Sequence, residues 1–399
     1  MKMRSPFTSR QSPEAAFVTL AVRGERPAAN GCLAAAASAV RDWDKVAFHC
    51  VQHRMSGWVL QSIAASGLSE AVPAKTLGVI RNNAMRAAFQ GLMLSGELVR
   101  VQKALSAHDV PSVLLKGPAI ANRFYPDPAL RPYGDIDLLL PIETHSRAME
   151  VCADLGYRVA EDHGGLEAAN HGTCEWPYET AFTHSETHIS LDVHYDHFQI
   201  GVKPRFLSDV WQRAEAWTLE GHETRVLALN DLFLFLCVHL SRHGFGGLFW
   251  FKDIDLILRL RGPDLDWPWL LETAEREGVS SSLGYTLRLL TMLLGTQLPP
   301  EAERLAAASG RSVVHRLLWR ESEVMELRVG RWRRAVQFVP WDGPRGALPS
   351  LLVMGRRTEK LGALLHRATR FGRRAQNGAG AVPAASATAG KRTGAGADE

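Results

Sequence analysis

Residues 113–141 read VLLKGPAIANRFYPDPALRPYGDIDLLLP, and the fold turns on them. The apolar run Val113-Leu114-Leu115 stops at Lys116-Gly117-Pro118. A loop rich in Pro, Asn and Asp follows, and Arg131-Pro132-Tyr133-Gly134 leads into Asp135-Ile136-Asp137-Leu138-Leu139-Leu140. Alternate side chains of an extended strand share a face, so Asp135 and Asp137 point one way while Ile136 and Leu138 face a core. Neighbouring carboxylates repel each other and do nothing to stabilise a strand. A divalent cation between them removes that objection, and hard oxygen ligands suit Mg²⁺. A D-x-D pair on its own reads first as a solvated strand edge with two chance acids. Its setting, between a Lys-Gly turn with an Arg and a following apolar run, is what favours the metal reading.

Outward from this stretch, the pattern is helical on the N-terminal side. Residues 1–30 are rich in Ser, Pro and Arg and read as disordered. Over 31–108, apolar residues recur at three and four, as in Val51, Met55, Val59 and Ile63, then Ile80, Met85, Phe89 and Leu92. The stretch 95–105 delivers the chain through the turn at His108-Asp109-Val110-Pro111 to the strand at Val113. On the C-terminal side, 146–155 reads as a helix ended by Gly156, and strands follow at Tyr157-Arg158-Val159, at 179–184 and at 188–195. Residues 161–180 are polar and glycine-rich and read as a loop or irregular edge. In the last strand Leu191 and Val193 alternate with Asp192 and His194, which adds a third carboxylate at mid-strand, where acids are scarce.

Beyond Trp211 the pattern is helical again. Asn230-Asp231 is read as the cap of an apolar helix carrying His239 and His243. A glycine break at 244–247 precedes a helix over 248–258, Asp266-Trp267 starts another, and a further amphipathic helix falls within 281–310. The expected organisation is a helical N-terminal region (31–108), an α/β core (109–215), a helical C-terminal domain (216–310), a basic helical extension (311–374) and a disordered low-complexity tail (375–399).

The chain has 399 residues, 46% of them apolar and 22% charged, which suits a soluble protein with ample core. Its net charge is +4, but 311–374 alone carries 14 Arg and 1 Lys against 4 Glu and 1 Asp. That basic stretch reads first as solvated surface, with contact to nucleic acid or an anionic membrane surface as the functional alternative. Cys32, Cys50, Cys152, Cys174 and Cys237 are scattered, odd in number and without C-x-x-C spacing. This argues against a disulfide framework or structural zinc and for a reducing cytoplasm. No signal-peptide core and no apolar run of membrane-spanning length is present.

Three elements carry a resemblance: Leu115-Lys116-Gly117, the run from Arg131 through Asp135-Ile136-Asp137-Leu138-Leu139, and Leu191-Asp192-Val193-His194. Together they resemble a bacterial family of uncharacterised nucleotidyltransferases within the DNA polymerase beta-type superfamily. The likeness extends over 40–310 and includes His239, Lys252-Asp253-Ile254-Asp255 and Asp266-Trp267. The resemblance implies an α+β fold with a small mixed sheet flanked by helical regions. It also implies that Asp135, Asp137 and Asp192 are catalytic and hold two Mg²⁺ ions. One would neutralise the triphosphate of an NTP donor, and the other would lower the pKa of an acceptor hydroxyl that attacks the α-phosphate. Gly117 and Gly134 would allow close approach of the donor, Lys116 would meet a phosphate as a point charge, and Arg131 would do so bidentately. The turn here reads Lys-Gly-Pro where the superfamily carries Gly-Ser. The acceptor, whether small molecule, sugar, protein or RNA, is left open, as is the choice of NTP.

Two other readings stand beside it. His163, His171, His184, His188, His194 and His197 crowd the middle of the chain with Cys174, and His239 and His243 are spaced i, i+4. That is the basis for a zinc hydrolase, although no H-E-x-x-H motif is present. A non-catalytic nucleotide-binding protein of the same fold is the other. His194 is read as a structural partner of Asp192 rather than as a base.

Overall fold

A computed structural model of the chain describes residues 11–24, 29–160, 179–195, 207–310 and 321–327. They form an α+β fold around one seven-stranded mixed sheet. The strands are β1 (Val113–Leu114), β2 (Asp135–Leu139), β3 (Tyr157–Val159), β4 (Glu179–His184), β5 (Ser190–His194), β6 (Glu215–Leu219) and β7 (His222–Val226). Their order across the sheet is β3-β4-β5-β2-β1-β7-β6. β2 runs parallel to β5 and β1 parallel to β7, while the other neighbours are antiparallel.

The N-terminal helices are α1 (Pro13–Arg23), α2 (Ala29–Ala39), α3 (Trp43–Gln52), α4 (Ser56–Ala65) and the long α5 (Ala74–Ala107). Within the core lie α6 (Pro118–Phe124), α7 (His145–Asp154) and α8 (Leu207–Arg213). The C-terminal set is α9 (Leu229–Arg242), α10 (Leu248–Arg261), α11 (Trp267–Arg276), α12 (Ser280–Leu294), α13 (Pro300–Ser309) and α14 (Glu321–Met325).

Both faces of the sheet are covered. Leu94, Leu98, Val101 and Leu105 recur along α5 at helical spacing and pack with Val151 and Cys152 of α7 against Ile136, Leu138, Leu191 and Val193. On the other face Val113, Leu115 and Leu139 meet Ile120 and Phe124 of α6 and the C-terminal helices. Each fully buried leucine contributes about 1.5–3 kcal/mol by leaving water. β2 is therefore apolar in both directions except where its aspartates stand.

Three expectations need correction. The N-terminal stretch read as disordered contains α1. The Ser12 hydroxyl caps it by accepting from the Ala15 amide, Pro13 sits in its first turn, and Phe17, Val18, Ala21 and Val22 are buried. The Ser and Pro that suggested disorder are a helix start, and the apolar pairs four apart were masked by that composition. The second correction concerns the stretch after Trp211, which holds the β6–β7 hairpin within what read as helix. Glu220 and Gly221 both have positive φ, 48° and 76°, the backbone of a tight hairpin turn. β7 adds to the sheet beside β1, with Leu114 opposite Val226. Third, Asn230 and Asp231 do not cap α9, whose N-cap is Ala228. Asp231 is buried and accepts two hydrogen bonds from Arg213 at 2.8 Å each, which ties α8 to α9. The Asn230 side chain accepts from the Asp266 amide at the start of α11.

The helix expected over 95–105 is the last third of the 34-residue α5. Near the other end, Val324, Met325 and Leu327 are buried, and the Leu327 carbonyl lies 2.8 Å from His53 Nε2. The loop at 161–178, the basic extension apart from 321–327, and the tail at 375–399 lie outside the described residues. Among the described residues, no helix is long and apolar enough to cross a membrane.

Candidate functional site

The parallel pairing of β2 with β5 sets Asp137 opposite Asp192. Two residues earlier on the same face stands Asp135. The three side chains each offer an oxygen, and these oxygens lie within 4.8 Å of one another. The adjacent antiparallel strand β1 delivers the fourth member. The Leu115 amide bonds to the Asp137 carbonyl at 3.1 Å, which places Lys116 beside the D-x-D pair. Lys116 Nζ donates to Asp137 Oδ1 at 2.8 Å and lies 3.9 Å from Asp135 Oδ2. His194, two residues beyond Asp192 on β5, donates from Nε2 to the same Asp137 Oδ1 at 3.1 Å. Its Nδ1 is 3.7 Å from Glu179 on β4. His194 therefore pairs with Asp137, where the sequence had suggested Asp192.

These contacts set the charges. Burial alone would raise the Asp137 carboxyl, but the Lys116 ammonium and the His194 hydrogen bond hold it below the usual carboxylate range. Asp192 has only the His194 charge to lower it. Burial and the Asp137 charge push it up to about 7. Lys116 is buried, which disfavours its charge, yet Asp135 and Asp137 outweigh that and raise its pKa. The cluster thus holds three carboxylates against one fixed ammonium. Asp137 is 1% exposed, and its Oδ2 has no hydrogen-bond partner. A buried carboxylate oxygen left unpaired costs about 1–3 kcal/mol or more. Hard oxygens in excess over cationic partners, one of them orphaned, fit a divalent cation such as Mg²⁺.

Gly117 has φ 64°, a conformation that favours glycine, and its carbonyl accepts from Ala121 in the first turn of α6. Gly134 lines a cavity next to Asp135. Tyr133, just before it, is buried against α5. Its hydroxyl donates to the Gly91 carbonyl at 2.8 Å and lies 2.9 Å from Ser95 Oγ. This anchor fixes where β2 begins.

Arg131 departs from the role the sequence suggested. Its guanidinium is buried and donates from Nε and Nη2 to Asp253 on α10, at 3.1 and 2.8 Å. The Tyr125 hydroxyl donates to the same carboxylate at 2.8 Å. The fork that would grip a phosphate is spent on Asp253. On the same helix Asp255 accepts from Lys252, Arg259 and Thr296, so the Lys-Asp-Ile-Asp run is a set of internal ties.

Among the described residues the histidines do not assemble a zinc site. His163, His171, His197 and Cys174 lie outside the described residues. His239 and His243 come together, ring centroids 4.4 Å apart, and His243 stacks on Trp250 at 4.6 Å. Burial first and the Lys116 charge second lower the pKa of both and keep them neutral. Among the described residues, the aspartate triad is the one group of three or more His, Cys, Asp or Glu side chains whose ligand atoms converge. Arg54, whose guanidinium faces Gly134, was missed in the sequence, where nothing in VQHRMSGW marks it.

A family model described as an uncharacterised nucleotidyltransferase matches residues 39–295. No curated protein matches the chain, and no solved structure does.

Proposed function

The chain belongs to this nucleotidyltransferase family, and from that premise we propose that it transfers NMP from an NTP to an acceptor hydroxyl with Mg²⁺ as cofactor. The observation that carries the reading is the convergence of Asp135, Asp137 and Asp192 around an unpartnered buried oxygen of Asp137. These three carboxylates would hold the metal, in two ions as in the polymerase beta-type enzymes. When bound, Mg²⁺ supplies charge neutralisation at the donor phosphates and makes the acceptor hydroxyl more acidic. In the reaction the acceptor oxygen bonds to the α-phosphorus, the bond to the bridging oxygen breaks, and pyrophosphate leaves while the hydroxyl proton is lost.

The chain's own residues prepare that step. Lys116 and His194 fix the Asp137 carboxylate through Oδ1 and leave Oδ2 to a ligand. The positive φ at Gly117 and the missing side chain at Gly134 keep the backbone open on the approach to Asp135. The scattered free cysteines support placing the reaction in the cytoplasm.

The test is pyrophosphate release from each of the four NTPs with Mg²⁺, together with the thermal midpoint, for wild type and Asp137→Asn. A Mg²⁺-dependent midpoint rise with at least one NTP, absent in the variant, is the expected result. A rise that survives in Asp137→Asn without pyrophosphate release from any pool of acceptors would instead indicate a nucleotide-binding protein.

A further inference from the structure

Gly134, the residue before Asp135, lines a cavity of about 340 Å³ bounded by α3, α4, α5 and the loop 129–134. That is within the size range of small-molecule sites. Its charged and amide lining comes from Arg54, Asn83, Arg86 and Gln90, and among the described residues no carboxylate lines it. Among the described residues neither Arg54 nor Arg86 has a carboxylate partner.

Arg54 is held at some cost. Its backbone has φ 54°, at the C-terminal cap of α3, where its amide bonds to the Val51 carbonyl and the next amide bonds to Cys50. Glycine is the usual residue in that position, and a side chain there costs about 1–2 kcal/mol. The guanidinium lies over the Phe249 ring at 5.4 Å. Its Nη1 and Nη2 would each be 3.8 Å from a Cβ on Gly134, and Gln90 Nε2 would be 3.9 Å away. Asn83 accepts from the Ser56 hydroxyl through Oδ1, which leaves its amide hydrogens to donate into the space. Arg54 and Gln90 thus stand against the residue that precedes Asp135, and Arg86 and Asn83 line the same cavity. The cations named from the sequence are engaged elsewhere, Lys116 with Asp137 and Arg131 with Asp253.

We propose that this cavity is a phosphate subsite, in which Arg54 and Arg86 hold a phosphate-bearing part of a substrate while its reacting end lies at the aspartates. The assignment rests on the nucleotidyltransferase reading for its purpose, but the binding itself does not need the metal. The phosphate belongs either to the donor's triphosphate tail or to a phosphorylated acceptor, and both present the same oxygens to the same guanidinium forks.

The experiment is titration calorimetry of the full chain at low salt without Mg²⁺, using inorganic tripolyphosphate and, separately, inorganic phosphate. The proteins are wild type, Arg54→Asn/Arg86→Gln and Arg54→Lys/Arg86→Lys. Asn tolerates the left-handed backbone and Gln is a good helix former, so the neutral pair preserves the fold. We expect saturable binding to wild type, weakened tenfold or more in the neutral variant and largely kept in the lysine variant. Preference for tripolyphosphate assigns the donor tail, and equal or tighter binding of phosphate assigns the acceptor. No saturable binding to wild type, or unchanged binding in the neutral variant, overturns the subsite. Asp137→Asn separates the two levels, because it keeps probe binding while losing Mg²⁺-dependent pyrophosphate release. Retained release in Asp137→Asn would count against the transferase mechanism and leave the subsite result standing.

Discussion

Arg131 donates from Nε and Nη2 to the two carboxylate oxygens of Asp253, at 3.1 and 2.8 Å, with both side chains out of solvent. The pair joins the loop that leads into β2 to helix α10, 122 residues later in the chain. Two charges buried together are not strong evidence of stability, since their desolvation offsets much of their attraction. Geometry is what they secure here: α10 fixes the entry to the D-x-D strand from one side, and the hydrogen bonds of Tyr133 to α5 fix it from the other.

Removing Asp253 alone should therefore be costly. Asp253→Ala leaves the Arg131 guanidinium buried without a partner and should lower unfolding free energy by about 3–5 kcal/mol. Urea denaturation followed by circular dichroism measures this. The triple variant Tyr125→Phe/Arg131→Met/Asp253→Leu should recover most of the loss, because it removes the Tyr125 hydroxyl that donates to Asp253 along with the ion pair and leaves apolar groups of similar volume. If the single variant is within 1 kcal/mol of wild type, the pair does not hold the loop.

Asp137 calls for a different pair of substitutions. Asp137→Ala removes the carboxylate on which Lys116 and His194 converge, and so leaves a buried ammonium facing Asp135 alone at 3.9 Å. It should lose stability as well as activity. Asp137→Asn keeps an oxygen for those donors but removes the charge a metal needs. It should fold with a midpoint near wild type while pyrophosphate release falls about 10²–10³-fold or more. Equal stability of Ala and Asn would show that the Lys116 contact contributes nothing.

Period-two alternation put Asp135 with Asp137 on one face, and Asp192 with His194 on a face of another strand; that the two strands come together as one triad was legible only through the family resemblance. The strands on either side were legible from their apolar runs, which are buried in the core. The contact of Lys116 was not legible, since a lysine at a turn looks the same whether it faces a phosphate or a carboxylate on the adjacent strand. Arg131 was misassigned for the same reason: its partner Asp253 is supplied by a distant helix. Local propensity hid the β6–β7 hairpin, whose Glu-Gly turn lacks the Asn-Gly signal that marks such turns most clearly. Arg54 is the extreme case, placed at the site by a helix cap.

Gly117 should resist replacement for backbone reasons. A Cβ there meets the Tyr133 ring at 3.7 Å and the Asp135 carbonyl at 3.8 Å, which are ordinary contacts, but φ is 64°. Gly117→Ala should cost about 1–2 kcal/mol and reduce pyrophosphate release by shifting Lys116. Gly117→Asn should lose about as much, because ψ is −117°, outside the left-handed helical region that Asn tolerates. An unchanged thermal midpoint in either variant would show that the backbone at this turn accepts a side chain.

The last prediction concerns pH. Asp192 titrates at about 7 in the folded chain against an ordinary value of 3.8, raised by burial and by the Asp137 charge. Between those values the native state retains a proton that the unfolded chain has released, so this group makes stability fall as pH rises from about 4 to about 7, with no further change above. In Asp192→Asn that slope should vanish, and without metal the variant should have the higher thermal midpoint at pH 8. Metal uptake requires the ionised carboxylate, so Mg²⁺ affinity should rise with pH up to about 7 and then level off. At pH 6 binding should release close to one proton per site, and at pH 8.5 almost none. Calorimetry in two buffers of different ionisation enthalpy counts those protons. The same count at both pH values would mean that Asp192 is not the residue that ionises when the metal enters.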